Sequence, residues 1–128
     1  MHTQEITAEN LVEIIKKPGI ALVDWWASWC GPCLAFAPVY EGVAAKHPDI
    51  VFGKVDTEAE GGLAAAFKIR AIPTLMVFRD GVLLYRESGM LPAPALEELI
   101  AKVRALDMVA VLKEAKAAEA PSESGPRA

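Results

Sequence analysis

The chain has 128 residues, of which 53% are hydrophobic and 23% charged, and its formal net charge is −4. These proportions are typical of one globular domain with an apolar core, and the acidic balance, without a dense run of Lys and Arg, argues against nucleic-acid binding. No apolar run approaches the roughly 18–20 residues of a membrane-spanning helix. Residues 1–5 lack the basic and apolar regions of a signal peptide, so we expect a cytoplasmic protein that binds no membrane.

Hydrophobic periodicity and the positions of Pro and Gly divide the chain into predicted elements. In chain order these are a helix over 7–17, a strand over 20–26, a helix from the cysteines to about 46, a strand over 50–55, a helix over 62–67, strands over 74–78 and 82–86, and a helix around 96–103. The strand over 20–26 is apolar except for Asp24, which is typical of a central strand buried on both faces. Asp80-Gly81 is a two-residue hairpin signal, so an antiparallel pair follows the alternating helices and strands, and we predict a mixed sheet.

The composition changes after residue 105. Asp107 can cap a short helix that ends at about Lys116, and the last eight residues are rich in Pro, Ser and Gly. We therefore expect a domain over 1–105, a short helical extension over 106–120 and a disordered tail over 121–128.

The chain has two cysteines, Cys30 and Cys33, at the end of a predicted strand and the start of a predicted helix. A helix N-terminus carries partial positive charge and free N–H groups, which favour the thiolate of the first cysteine. A thiolate attacks disulfides, and a second thiol one helical turn later can release the product. Gly31 lets a substrate backbone approach, and Pro32 fits a position where a helix needs no N–H donor. The pattern is typical of a redox-active cysteine pair.

Three other interpretations of the cysteines stay open. Half of a zinc site is one, although only His2 and His47 could complete it and neither has the usual spacing. A purely structural disulfide is the second, although its loop is too short to constrain the unfolded chain much. Two buried, inert cysteines are the third. The motifs of nucleotide-binding loops are absent from the sequence, and we expect no bound cofactor and no metal.

The segment over 24–33, D-W-W-A-S-W-C-G-P-C, resembles the active-site segment of thioredoxins. Further matches follow in the family's order at Pro38, Lys54, Ile72-Pro73-Thr74, Asp80-Gly81 and Gly89. The resemblance covers about residues 5–105. It implies the thioredoxin fold, an α/β fold in which a central five-stranded mixed sheet carries helices on both faces. It also implies that the protein reduces disulfides in protein substrates by dithiol–disulfide exchange.

The resemblance further implies the roles of four side chains. Cys30 would be the attacking thiolate and Cys33 the resolving thiol. Asp24 would be a buried carboxylate, with its pKa raised by desolvation, that acts as general base for Cys33 directly or through a water. Lys54 would be a buried lysine on the neighbouring strand that modulates Asp24. Solvent-facing positions for Asp24 and Lys54 are the alternatives.

Ile72-Pro73 resembles the cis-proline loop that faces the cysteines in this family. There an extended substrate would pair with the Ile72 backbone, a form of β-augmentation; a trans proline that opens an edge strand is the alternative. The implied apolar rim around the thiols consists of Trp29, Gly31, Pro32, Ile72, Pro73 and Gly89.

The implied cofactor chemistry is a redox-active Cys30–Cys33 disulfide, with no bound cofactor. NADPH and FAD would belong to a thioredoxin reductase-like flavoprotein partner that reduces this disulfide again. Other partners would be disulfide-containing protein substrates, and we expect a monomer. Leu34 stands where many thioredoxins carry Lys or Arg, which removes a positive charge near the thiols. A disulfide oxidant or isomerase, and a redox-independent binding subunit that uses the same apolar rim, are the alternative functions.

Overall fold

The computed structural model describes the backbone of residues 2–124 and the side chains of residues 2–117. The strands are β1 (Gln4–Glu5), β2 (Ile20–Trp26), β3 (Val51–Asp56), β4 (Thr74–Arg79) and β5 (Val82–Ser88). The helices are α1 (Leu11–Lys16), α2 (Gly31–Ala45), α3 (Gly61–Ala66), α4 (Ala93–Ala105) and α5 (Met108–Ser124).

The five strands form one sheet in the order β1-β3-β2-β4-β5. β3 pairs in parallel with both β1 and β2, whereas β4 runs antiparallel to β2 and β5 antiparallel to β4. The predicted five-stranded mixed sheet is therefore confirmed. The connection between the parallel strands β2 and β3 passes through α2. The carboxyl end of β2 consequently leads straight into the segment that carries the cysteines.

The sheet separates two hydrophobic cores, because successive side chains of a strand point to opposite faces. On β2, Leu22 faces the core that α2 and α4 cover, where Phe36 is buried. Val23 and Trp25 face the other core, which α1 and α3 cover. Helices thus pack on both faces, as predicted. Asp24 has the same parity as Leu22 and points toward the face that α2 and α4 cover.

β1 is a two-residue edge strand that the sequence pattern does not predict. Gln4 and Glu5 are both exposed, and two residues give no hydrophobic alternation. They pair with Gly53 and Lys54 of β3, and the Ile6 N–H extends this pairing by donating to the Lys54 carbonyl oxygen over 2.8 Å. The Ile6 side chain is buried against Gly53, where a Cβ atom would overlap with Ile6 Cδ1.

The first helix begins later than the sequence predicts. The sequence places its start at residue 7, whereas α1 starts at Leu11, with Asn10 at the N-cap. Asn10 Oδ1 accepts a hydrogen bond from the Thr7 N–H over 2.7 Å, and Thr7 Oγ1 accepts one from the Glu9 N–H over 3.2 Å. These bonds stabilise a turn before the helix, since short polar side chains compete with helical backbone bonds.

The hairpin between β4 and β5 turns at Asp80 and Gly81, as predicted. Their φ angles are +52° and +83°, the left-handed backbone that a two-residue turn of type I′ requires at both positions. Asp80 Oδ1 also accepts a hydrogen bond from the Gly19 N–H over 2.7 Å, which ties the hairpin to the start of β2.

The C-terminal helix α5 is longer than the sequence predicts. Asp107 caps it as expected, because its Oδ1 accepts hydrogen bonds from the Val109 and Ala110 N–H groups. The helix includes residues 121–124, which the sequence places in the disordered tail; residues 113–120 before them are Ala, Lys and Glu, which are strong helix formers. The rest of the predicted tail, 125–128, lies outside the described residues.

Membrane-spanning segments were not expected from the sequence. Across residues 2–124, no helix combines the length and the apolar character needed to cross a bilayer.

Candidate active site

A disulfide bond joins Cys30 and Cys33 at the N-terminus of α2. Their Cα atoms are 5.2 Å apart, and Cys30 is the N-cap residue of the helix. Cys30 Sγ accepts a hydrogen bond from the Cys33 N–H over 3.2 Å. Pro32 lies in the first turn, where a helix needs no N–H donor. The free N–H groups and the positive end of the helix dipole therefore favour negative charge on Cys30 Sγ.

Both sulfur atoms lie under a thin cover of side chains. Cys30 is 4% exposed and Cys33 2% exposed. Together with Ala27 they form a small cluster against which Trp26 and Ile72 pack. Both cysteines are therefore almost fully covered in the disulfide form.

The loop before β4 faces the cysteines. The Ile72–Pro73 peptide bond is cis, as the resemblance implies. The Ile72 carbonyl oxygen lies 3.7 Å from Cys30 Sγ; a reduced thiol can donate a hydrogen bond over this distance, whereas the disulfide has no proton to donate. Gly89 has a φ of +102° and donates its N–H to the Pro73 carbonyl oxygen over 2.8 Å. This bond fixes the loop relative to the segment after β5.

Only some residues of the predicted apolar rim are exposed. Trp29 is 67% exposed, and Gly31, Pro32 and Gly89 are exposed as well. Trp29 lines a groove of about 170 Å³ together with the loop 69–72. Pro73 is buried, so its ring shapes the loop and offers little contact area to a substrate.

Asp24 is the buried charge that the sequence singles out. Its exposed fraction is 0%, which excludes the solvent-facing alternative. Neither carboxylate oxygen has a hydrogen-bond partner among the described residues. Desolvation raises the pKa of Asp24 to about 7, and the positive charge of Lys54 opposes this rise. Asp24 shares its face of β2 with Trp26, which packs against the two cysteines.

Lys54 stands in register with Asp24 on the neighbouring strand. It is half-buried rather than buried, because it lies near the sheet edge and one end of its side chain reaches solvent. Its Nζ lies 4.8 Å from the centroid of the Trp26 ring, a cation–π contact. Within the described part of the chain, Lys54 makes no ion pair at 4.0 Å or less. It therefore acts on Asp24 through a longer-range field.

Tyr40 is a residue of this region that the sequence reasoning misses. It is fully buried on α2, and its hydroxyl donates a hydrogen bond to the Gly53 carbonyl oxygen over 2.8 Å. Burial, together with the charge of Asp24, raises the pKa of Tyr40 well above its usual range, so the phenol stays neutral. The spacing of Phe36 and Tyr40 signals a buried helix face, but it does not reveal where the hydroxyl bonds.

The zinc alternative has no support from the histidines. His47 uses one ring nitrogen to contact Glu97 over 2.6 Å and the other to contact Arg104 over 3.1 Å. His2 lies beside Glu41. In the part of the chain that the structure describes, no three or more His, Cys, Asp or Glu side chains form a group suited to a metal ion.

The chain is similar to proteins of the thioredoxin family. The family model described as Thioredoxin matches residues 2–103. A Streptomyces coelicolor protein assigned as thioredoxin 2 is 50% identical over 111 residues, 87% of this chain and 83% of that protein. A thioredoxin of Chlamydia trachomatis is 36% identical over 99 residues, 77% of this chain and 96% of the relative. The crystal structure of chloroplastic thioredoxin z matches with a TM-score of 0.76 at 29% identity, over 83% of this chain and 97% of that chain. The chain therefore belongs to the thioredoxin family, as a thiol–disulfide oxidoreductase with a redox pair spaced as in that family.

Proposed function

We propose that the protein reduces disulfide bonds in protein substrates, with Cys30 as the attacking and Cys33 as the resolving residue. The observation that carries this assignment is the position of Cys30 Sγ. It caps α2, accepts the Cys33 N–H and lies opposite the Ile72 carbonyl oxygen. A thiolate at this position is stabilised by the helix N-terminus. The Cys33 sulfur lies within the first helical turn and is less accessible to a large substrate.

The exchange proceeds in two balanced steps. The Cys30 thiolate attacks one sulfur of the substrate disulfide, that S–S bond breaks, and the first substrate sulfur leaves as a thiolate. Cys33 then loses its proton and attacks Cys30 Sγ, so the mixed disulfide breaks and the second substrate sulfur leaves. The two protein thiols are oxidised to the Cys30–Cys33 disulfide, and the substrate disulfide is reduced to two thiols.

Asp24 accepts the proton of Cys33 in the second step. A carboxylate with a pKa of about 7 is a stronger base than an ordinary aspartate and is still about half ionised at neutral pH. Its face of the sheet carries Trp26, which touches the cysteine cluster. Lys54 sets how readily Asp24 ionises, since it is the positive charge opposite it in the sheet.

An extended segment of the substrate binds the loop that faces the cysteines. Ile72 precedes β4, which begins at Thr74, so its backbone lies outside the strand ladder. The substrate backbone pairs with Ile72 there. Trp29, which lines the adjacent groove, packs against the substrate segment.

Family membership implies disulfide-containing substrates and a reductase partner. In this proposal the partner is a flavoprotein of the thioredoxin reductase type, which holds FAD and takes electrons from NADPH, while this chain binds no cofactor. The chain acts as a monomer in the cytoplasm, with residues 1–105 as its catalytic domain. A reducing compartment suits a dithiol that must be reduced again after each cycle.

The reduction potential tests the direction of the reaction. The protein is equilibrated in defined thiol–disulfide buffers, and tryptophan fluorescence reports the redox state because Trp29 adjoins Cys30. A midpoint near about −270 mV is expected for a reductase. A midpoint between about −180 and about −120 mV would instead identify an isomerase or an oxidant.

Trapping of the mixed disulfide tests the two cysteine roles. Reduced Cys33→Ser protein is mixed with insulin, and a covalent adduct through Cys30 is expected to accumulate. The matched Cys30→Ser variant is expected to form none. An adduct through Cys33 in that control would reverse the assigned roles.

A further inference from the structure

Three charged side chains stand in register across β2, β3 and β1. Asp24 pairs with Lys54, and Lys54 pairs with Glu5. Residues in register on parallel strands point to the same face of the sheet. The row therefore places an ammonium group between two carboxylates and runs from the centre of the sheet to its edge, where β1 is the last strand.

The outer end of this row opens into a cavity. Glu5 and Lys54 line a cavity of about 310 Å³ at the sheet edge, together with Trp26 and Asp56. Asp24 itself has no exposed surface, whereas Glu5 is exposed. The row consequently connects a fully buried carboxylate to a solvated one through the half-buried Lys54.

Lys54 has one carboxylate residue in register with it on each neighbouring strand. Its ammonium rests over the Trp26 ring and, within residues 2–117, makes no close ion pair. A lysine ammonium on a flexible four-carbon stem can lean toward either neighbour. The support that it gives to ionised Asp24 falls as the distance between the two charges grows.

The other titratable groups near this row have partners of their own. Asp56 Oδ1 accepts hydrogen bonds from two backbone N–H groups, those of residues 58 and 59. Tyr40 donates to the Gly53 carbonyl oxygen and stays neutral. Glu41 of α2 accepts a hydrogen bond from the His2 backbone N–H. Glu5 is the remaining carboxylate in register with Lys54.

We propose that Glu5 is a positioning residue for the reaction: its carboxylate shares the Lys54 ammonium with Asp24 and so keeps Asp24 able to accept and release a proton at neutral pH. This inference rests on the proposed role of Asp24 as the base for Cys33. Without the Glu5 charge, Lys54 stabilises ionised Asp24 more fully. The carboxylate then becomes a weaker base.

The Glu5→Gln variant tests this inference through the titration of Asp24, followed by carboxyl carbon NMR in the oxidised protein. Two strand spacings place the carboxylates about 10 Å apart. Direct repulsion over this distance accounts for about 0.3 pH unit in water. The Asp24 midpoint is expected to fall by about 1 pH unit, because the support from Lys54 also increases. Glu114→Gln on α5 makes the same charge change and is expected to leave the midpoint in place. An unmoved midpoint in Glu5→Gln would overturn the inference.

The Lys54→Met background separates positioning from direct repulsion between the two carboxylates. If Glu5 acts through Lys54, Glu5→Gln is expected to move the Asp24 midpoint by less than half as much in this background. An undiminished shift would mean that Glu5 acts without Lys54, which contradicts the inference.

The pH profile of mixed-disulfide resolution links the titration to the reaction. Its midpoint is expected to move with that of Asp24 in Glu5→Gln. A moved Asp24 titration with an unmoved rate profile would overturn the positioning role and would locate the failure in the proposed base function of Asp24. An unmoved titration, with resolution still slowed by Asp24→Asn, would locate the failure in Glu5.

Discussion

Two charged regions lie at opposite ends of the sheet and differ in how their charges are satisfied. At the carboxyl end of β2, Asp24 is fully buried and its two oxygens have no hydrogen-bond partner in the described part of the chain. Beyond the other end of α2, Asp49 accepts two hydrogen bonds from Arg104, over 2.9 and 3.0 Å. Arg104 also contacts His47, which in turn contacts Glu97.

The hydrogen bonds around Arg104 determine which groups donate and which accept. The Arg104 guanidinium can only donate hydrogen bonds, so His47 Nδ1 must accept and His47 Nε2–H must donate to Glu97. All four groups thus have partners, and the Asp49 and Arg104 side chains still reach water. Exposed pairs of this kind contribute little to stability, with typical values of about 0–1 kcal/mol.

Pairing and hydration decide how easily a charged state forms in this molecule. A paired, hydrated charge keeps its ordinary state, whereas the desolvated Asp24 titrates at a pH at which thiols exchange. Burial without a partner therefore destabilises the folded protein when Asp24 is ionised.

The Asp24→Asn variant tests this comparison with the largest expected effect. Below about pH 3 the carboxyl is mostly protonated in both the folded and the unfolded chain. As the pH rises, the unfolded chain loses the proton first, at about 3.9, and folded Asp24 only at about 7. The free energy of unfolding therefore falls by about 4 kcal/mol as the pH rises between these two values. At pH 8 we expect Asp24→Asn to be more stable than the wild type by about that amount.

Urea unfolding at pH 4 and pH 8 measures this effect. The two proteins are expected to differ little at pH 4 and most at pH 8. Asp49→Asn is the matched control at the paired end, and it is expected to lose stability or stay unchanged at pH 8. If Asp24→Asn had the wild-type pH dependence of stability, burial would not hinder the ionisation of Asp24.

The Gly53→Ala variant changes the packing between β3 and the edge strand β1 without changing the charge. The added Cβ overlaps with the buried Ile6 side chain, so one of the two must move. Overpacking of this kind is expected to lower the free energy of unfolding by about 1–3 kcal/mol. Gly42→Ala on α2, where a Cβ has no neighbour within 4 Å, is the control and is expected to add about 0.5–1 kcal/mol. Equal effects of the two variants would contradict the packing of β1 on β3.

The Arg104→Met variant tests the paired end and has the smallest expected effect. The loss is expected to stay below about 1 kcal/mol and to shrink with added salt, because the pair with Asp49 is exposed. Unfolding at low and high salt measures it, and Lys102→Met, whose contact with Glu98 is longer and more exposed, is the control. A salt-independent loss as large as the change expected for Asp24→Asn would mean that the two ends do not differ as described.

The sequence predicts the parts of this molecule that depend on local signals. Three predictions of this kind are confirmed, since each depends on neighbouring residues: the strand over 20–26, the Asp80-Gly81 turn and the cysteine pair at a helix start. The burial of Asp24 agrees with what the family resemblance implies.

The parts that were not predicted depend on contacts between distant segments. β1 is defined only by its pairing with β3, because its two residues carry no pattern. The register that places Glu5 beside Lys54, and the bond from Tyr40 to the Gly53 carbonyl oxygen, likewise exist only in the folded chain. Lys54 is less buried than the resemblance implies because β1, the strand beside it, is so short.

The measurement that tests the account most directly is the rate at which the mixed disulfide is resolved, followed by stopped-flow fluorescence in wild type and Asp24→Asn from pH 5 to pH 9. In the wild type the rate is expected to rise as the pH passes about 7, where Asp24 ionises. In Asp24→Asn this rise is expected to be absent and resolution at pH 7 to be about 100-fold slower, while the initial attack by Cys30 stays nearly unchanged. Resolution at the wild-type rate, with the wild-type pH profile, would contradict the role of Asp24 as the base for Cys33.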